Sequence, residues 1–247
     1  MGMWHSGIVV ENKRLTERLT SLKIDAPLDT FQAGQFVRVG LEIDGKVVAR
    51  PYSLVNAPTE SPLEFYFNIV EGGPLSPHLF NLKAGDDVLV ASNPNGFLII
   101  DEIPKTSNLW MMATGTAIGP FLSILKCQPV WEKFEQVVLC YSVRTEKELA
   151  YLDLIAELEK KHAGQFTFVP LVTREDVPGA LRMRIPAAIE KGIIEHRTSI
   201  SLTADSAHVM MCGSADMIKD VVSVLELRGM QRHRRRDPGH YTTEKYH

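Results

Sequence analysis

The chain has 247 residues, 45% hydrophobic and 23% charged, with 27 basic against 30 acidic side chains. That composition supports sizeable apolar cores and excludes a collagen-like or disordered polymer, while a formal charge of −3 argues against nucleic acid as the main partner. Three cysteines, Cys127, Cys140 and Cys212, are too few for a disulfide framework or a four-thiolate iron–sulfur cluster.

Residues 1–5 lack the basic-then-apolar layout of a secretory signal, and no apolar run reaches the roughly 18 residues of a membrane span, so a cytoplasmic location is expected. Up to residue 100, short alternating apolar runs broken by turn residues predict antiparallel strands at 7–10, 19–25, 35–43, 46–53, 63–69, 87–91 and 97–100. Asp44-Gly45 tolerates the positive φ of a type I′ turn and marks a hairpin. A short helix is expected at 77–82, capped by Ser76 and stopped near Gly85. Strand spacing of this kind suggests a small closed barrel.

A polar stretch with a proline, residues 101–107, then changes the rhythm and sets a domain boundary, giving domains 1–101 and 102–247. Beyond it, apolar strands at 109–113, 136–142, 166–172 and 209–212 alternate with helical patterns at 120–126, 146–162, 185–191 and 216–228. Fully apolar strands interleaved with helices imply a parallel sheet covered on both faces, an α/β nucleotide-binding architecture whose ligands lie at the carboxyl ends of the strands. The eight histidines show no metal-ligand spacing, and no exposed apolar stripe demands a partner subunit, so a monomer is expected.

Four elements could carry chemistry. Thr114-Gly115-Thr116-Ala117-Ile118-Gly119-Pro120 joins an apolar strand to a helix, where glycines allow close backbone approach and free N–H groups favour a pyrophosphate. Its G-x-x-x-G spacing departs from the usual dinucleotide fingerprint, and a plain tight strand-to-helix turn is the lesser alternative. Arg50-Pro51-Tyr52-Ser53, at a strand end, offers a phosphate fork, a flat ring and an adjustable hydrogen bond, or simply an exposed strand end. Cys212-Gly213 ends the last predicted strand, where a cysteine is either a small buried apolar residue or a reactive one. Glu244-Lys245-Tyr246-His247 closes the chain, where an aromatic frays unless a partner ring holds it.

Together and in this order, these elements resemble the ferredoxin/flavodoxin NADP reductases, most closely the short bacterial type, over essentially the whole chain. The resemblance implies an N-terminal antiparallel β-barrel for FAD and a C-terminal α/β parallel-sheet domain for NADP(H). It puts Arg50 on the FAD phosphates, Tyr52 against the isoalloxazine and Ser53 near its N5, with Pro51 among the FAD-binding residues. Phe67, Asn68 and Ile69 with Pro74, Leu75 and Ser76 match further FAD contacts, as does Thr116. Tyr246 matches the terminal aromatic that covers the flavin, and His247 stands where the family has a large aromatic near the adenine. Ser53, Cys212, Glu244 and Tyr246 are the implied catalytic set, which positions rings and stabilises charge near N5.

For the pyridine nucleotide, Val143 and Arg144 end one strand and Thr173 and Arg174 another, with Arg182 and Arg184 after Gly179. A 2′-phosphate of about two negative charges needs such guanidinium partners, so NADP is expected over NAD. Ser214, Ala215 and Asp216 match the remaining nucleotide contacts. The electron partner is expected to be a separate acidic ferredoxin or flavodoxin, docking on Arg232, Arg234, Arg235 and Arg236 with Lys13, Arg14 and Arg18. An oxygenase reductase, an NADH-using flavin reductase and a non-catalytic flavin relay stay open on residues alone.

Overall fold

The structure, a computed structural model, describes residues 3–246. The chain divides into two compact units, Met1–Ile99 with Gly119–Cys127, and Ile100–Ile118 with Gln128–His247.

The first unit is built on six strands, β1 (Trp4–Arg14), β2 (Leu19–Asp25), β3 (Phe36–Ile43), β4 (Lys46–Ser53), β5 (Leu63–Asn68) and β6 (Asp87–Ala91), in the order β4-β3-β6-β1-β2-β5. All neighbours are antiparallel. A bridge between Leu54 and Phe65, with Val55 N donating to Glu64 O at 2.9 Å, ties the two edge strands and curls the sheet back on itself. Period-2 alternation supplies the interior: Val37 and Val39 are buried while Arg38 between them is exposed, and Leu22, Ile24, Phe65, Val88 and Val90 complete the core. Asp44 and Gly45 take φ of 52° and 71°, as a type I′ hairpin turn requires.

Helix α1 (Ser76–Asn81) does not use Ser76 as its cap. Leu75 holds that position, and the Ser76 hydroxyl accepts instead from Val70 N at 2.9 Å. Residues 97–100 form no strand: Phe97 is exposed, and a 3-10 turn occupies Ile100–Glu102. Helix α2 (Gly119–Leu125) is buried along its whole length within this unit, where Ser123 Oγ donates to Asn56 O at 2.7 Å.

In the second unit, β7 (Asn108–Thr114), β8 (Gln136–Val143), β9 (Phe166–Val172), β10 (Ala207–Gly213) and β11 (Tyr241–Lys245) form one parallel sheet in the order β11-β10-β7-β8-β9. β10 is buried throughout, as a strand covered on both faces must be. Helices α3 (Gln128–Lys133), α4 (Leu152–Lys161), α5 (Ile185–Glu190), α6 (Ile193–Thr198) and α7 (Ala215–Leu227) connect them. On α7, Met217, Val221 and Leu225 recur every fourth residue and enter the core, so truncating Leu225 would cost about 2–5 kcal/mol.

The single helix expected over 146–162 is two pieces. A 3-10 turn covers Glu146–Glu148, and α4 begins only at Leu152, because Tyr151 takes φ of 60° and breaks the helical path. The polar-punctuated helices α3 and α6 and the terminal strand β11 carry too short an apolar pattern to be expected from periodicity.

Candidate functional site

In the barrel unit the contiguous Arg50 to Ser53 run forms the end of β4. Strand alternation puts Arg50 and Tyr52 on one face and Ser53 on the other; Arg50 is exposed, Tyr52 half-buried and Ser53 buried at 5% exposure. The Arg50 guanidinium gives one N–H to Ala49 O at 2.8 Å, leaving the rest of its donor fork available. Tyr52 meets Phe67 edge-on, with centroids 5.2 Å apart and planes at 61°. Burial pushes the Tyr52 hydroxyl up to about 12, against the smaller opposing pull of Arg50. Phe67 lies on β5, with exposed Asn68 ending the strand and Ile69 following it; Ile69 N donates to Arg18 O at 2.8 Å. Pro74 is exposed, and buried Leu75 and Ser76 open α1. A flat ring packed on a second ring, beside an exposed guanidinium fork, suits an aromatic phosphate ester such as FAD.

The second group gathers at the carboxyl edge of the parallel sheet. Thr114 ends β7, and its Oγ1 accepts from Ser214 N at 3.1 Å. Gly213 takes φ of 150°, and a Cβ there would fall 2.1 Å from that same Thr114 oxygen, so only glycine lets the ends of β7 and β10 approach this closely. Gly115, at φ of 54°, opens onto free space and starts the 3-10 turn that buries Thr116. Ser214 caps α7, its Oγ accepting from Met217 N at 3.3 Å, and Ser214, Ala215 and Asp216 are all exposed. A close-approach glycine followed by a capped helix start is a fitting seat for a pyrophosphate.

The tail does not fray. β11 pairs parallel with β10, putting Glu244 opposite Cys212, and Tyr246 N donates to Gly213 O at 2.9 Å. Cys212 is fully buried and its thiol is held well above the usual range by burial and, secondarily, by Glu244. Desolvation pushes the Glu244 carboxyl up to about 7. The aromatic and β-branched run Tyr241-Thr242-Thr243 was the available signal for this strand. His247 lies outside the described residues.

Further along the edge, Thr173 N and Arg174 N donate to Val143 O and Arg144 O at 3.0 and 2.9 Å, which places the two strand ends side by side. Arg144, Arg174 and Arg184 are exposed and make no ion pair among the described residues, whereas Arg182 pairs with Asp176. The Thr145 hydroxyl, which sequence reasoning passed over, is buried at this edge without a hydrogen-bond partner.

The basic residues meant for carrier docking fall in two places. Arg232 bridges to Tyr241, where β11 begins, and Arg235 binds Glu102 at 2.6 Å, so this arginine hairpin lies at the amino edge of the sheet, opposite the nucleotide edge. Lys13, Arg14 and Arg18 lie instead on the barrel unit, on and just after β1, and Arg18 neighbours Ile69. Among the described residues no helix is long and apolar enough to cross a membrane.

Residues 8–98 match the family model of the oxidoreductase FAD-binding domain and residues 111–223 that of the oxidoreductase NAD-binding domain, so the class is a two-domain flavin- and nicotinamide-nucleotide oxidoreductase. A flavodoxin/ferredoxin–NADP reductase of Escherichia coli (strain K12) is 45% identical over 247 residues, covering 100% of both chains. A ferredoxin–NADP reductase of Pseudomonas aeruginosa is 34% identical over 87% of this chain and 86% of the relative. A solved ferredoxin NADP+ reductase from Neisseria gonorrhoeae with bound FAD and NADP is 33% identical, superposes with a TM-score of 0.94 and is covered to 99%, as is this chain. The chain belongs to the flavodoxin/ferredoxin–NADP reductase family.

Proposed function

We propose that this protein is an FAD-dependent reductase that moves electrons between NADPH and a separate ferredoxin or flavodoxin. The observation that carries the reading is that one chain holds both an aromatic-plus-arginine seat on a barrel strand and a glycine-built nucleotide edge flanked by exposed arginines, of which Arg144, Arg174 and Arg184 make no ion pair among the described residues. FAD, when bound, supplies the redox chemistry by taking up a hydride and releasing two electrons singly.

The residues of the chain bind, orient and screen. Arg50 grips the FAD phosphates, with Pro51, Asn68, Ile69, Pro74 and Leu75 lining the cofactor. Tyr52, braced by Phe67, supports the ring, and buried Ser53 offers a hydrogen bond near N5 in a site that excludes water. Tyr246, anchored through its backbone to Gly213, is the terminal aromatic assigned to the flavin. Glu244, with a carboxyl poised near neutrality, can hold or give a proton where charge develops, while Cys212 packs behind it. Thr116 is a further flavin contact, the Ser214–Asp216 turn receives the pyridine nucleotide, and Arg144, Arg174 and Arg184 receive the 2′-phosphate, which selects NADP(H) over NAD(H).

Lys13, Arg14 and Arg18 form the surface for an acidic carrier, because Arg18 adjoins the Asn68–Ile69 segment assigned to FAD. Arg232 to Arg236, at the opposite sheet edge, take no part in docking. The protein acts as a cytoplasmic monomer in this reading.

The test is anaerobic titration of the yellow holoprotein with NADPH, followed by flavodoxin and, separately, ferredoxin. Bleaching by NADPH at far lower concentrations than by NADH, and recovery of colour on adding either carrier, is the expected result. A protein that keeps flavin but is not bleached would be a relay module. Equal response to NADH would return the NADH-using flavin reductase.

A further inference from the structure

The loop from Arg174 to Arg184 carries three arginines and two acids: Asp176 engages Arg182, while Glu175 Oε2 accepts from Glu146 N at 2.8 Å. Leu181 N donates to Pro170 O at 2.9 Å and Leu181 O accepts from Val172 N at 3.0 Å, so the returning arm of the loop runs along the carboxyl end of β9. Leu181 and Met183 pack against the core, which leaves Arg182 and Arg184 exposed beside Arg174. A tight turn closed by Ala180 N to Val177 O at 3.0 Å folds the outgoing arm back, and Arg197 donates to Gly179 O at its tip. Across that turn Asp176 Oδ2 binds Arg182 Nη1 at 2.5 Å, with side chains 78% and 56% exposed.

We propose that Arg182 is a further guanidinium for the 2′-phosphate, beside Arg144, Arg174 and Arg184, and that Asp176 competes with the phosphate for it, so this acid tunes NADP(H) affinity and its dependence on salt. The proposal rests on the assignment of Arg174 and Arg184 to the 2′-phosphate. The physical case is a trade between anions. A dianionic phosphate outbids one carboxylate for Arg182, but it must first break the Arg182–Asp176 pair, and that cost is absent once Asp176 loses its charge. Because the pair is solvent-exposed, its effect is modest and screened by salt. NAD(H), lacking the 2′-phosphate, is the internal reference.

Calorimetric binding of NADP+ and NAD+ to the FAD-loaded protein, at low and at high ionic strength, decides the matter. D176N should tighten NADP+ about two- to fivefold at low salt, with the gain vanishing at high salt and NAD+ unmoved. R182Q should weaken NADP+ by a similar factor, and D176N/R182Q should behave like R182Q alone. The proposal is overturned if D176N leaves NADP+ binding unchanged, tightens NAD+ equally, or has the same effect with Arg182 removed. R174Q and R184Q serve as controls for the underlying assignment. Should neither reduce the preference for NADP+ over NAD+, the phosphate site itself is misplaced, a result separable from failure of the Asp176 effect alone.

Discussion

The two units solve the same task, seating a flat phosphorylated ligand, by opposite means. In the barrel the residues proposed to work are contiguous: Arg50, Tyr52 and Ser53 fall on one strand end, Arg50 and Tyr52 on one face and Ser53 on the other. In the parallel sheet they come from separate strand ends, joined where the Thr114 hydroxyl accepts from Ser214 N beside Gly213 and Tyr246 N donates to Gly213 O. The comparison teaches that a site made of side chains on one strand tolerates a local change locally. A site made of backbone approach between strands couples binding to the stability of the sheet.

The largest expected effect tests the first half of that statement. Arg50→Ala should weaken FAD retention about a hundredfold, the loss of charge-assisted phosphate bonds, while the apoprotein denatures at the same midpoint as the parent. A matched fall in stability would break the contrast. Gly213→Ala probes the other half: its Cβ would clash with Thr114 Oγ1 at a φ that side chains rarely adopt, costing about 2–3 kcal/mol in denaturant unfolding and weakening NADP+ together. Loss of nucleotide affinity at full stability would show that backbone approach and sheet stability are independent.

Glu244 sharpens the comparison through pH. Its folded pKa of about 7 lies above the ordinary 4.5, so the folded state holds the proton more tightly. The contribution is fully present below about pH 4.5 and is lost as pH rises through about 7. Glu244→Gln should therefore match the parent near pH 4.5 and exceed it by about 1–2 kcal/mol at alkaline pH, discounted for the carboxyl's partial exposure. Parallel pH profiles for the two proteins would contradict the desolvated placement of β11. The smallest effect is expected at the surface. Arg18→Gln should slow carrier reduction about two- to threefold at low ionic strength and leave it unchanged at high, and Arg235→Gln should do neither. Stopped-flow rates across a salt series would separate them.

Much of this was legible before any coordinates. The alternation of β3 and β4 around Asp44-Gly45, the apolar runs of β7 to β10 and the Arg50 to Ser53 motif are local patterns, and local patterns survive in a linear text. The helix expected over 146–162 failed because periodicity does not register Tyr151 at φ of 60°. The arginine hairpin at 232–236 looked like a docking surface by composition, yet the fold carries it to the amino edge of the sheet, where Arg235 meets Glu102.

Taken alone, the amino-acid order determined the two rhythms, the hairpin and the contiguous barrel motif, because each depends on neighbours within a few residues. The tertiary structure decided which strand ends share an edge, that the final residues form β11 rather than a loose tail, and that Asp176 faces Arg182. Those outcomes follow from parallel pairing between segments as far apart as Thr114 and Ser214 and from the folding back of one loop, and long-range pairing leaves no trace in the spacing of residues along the chain.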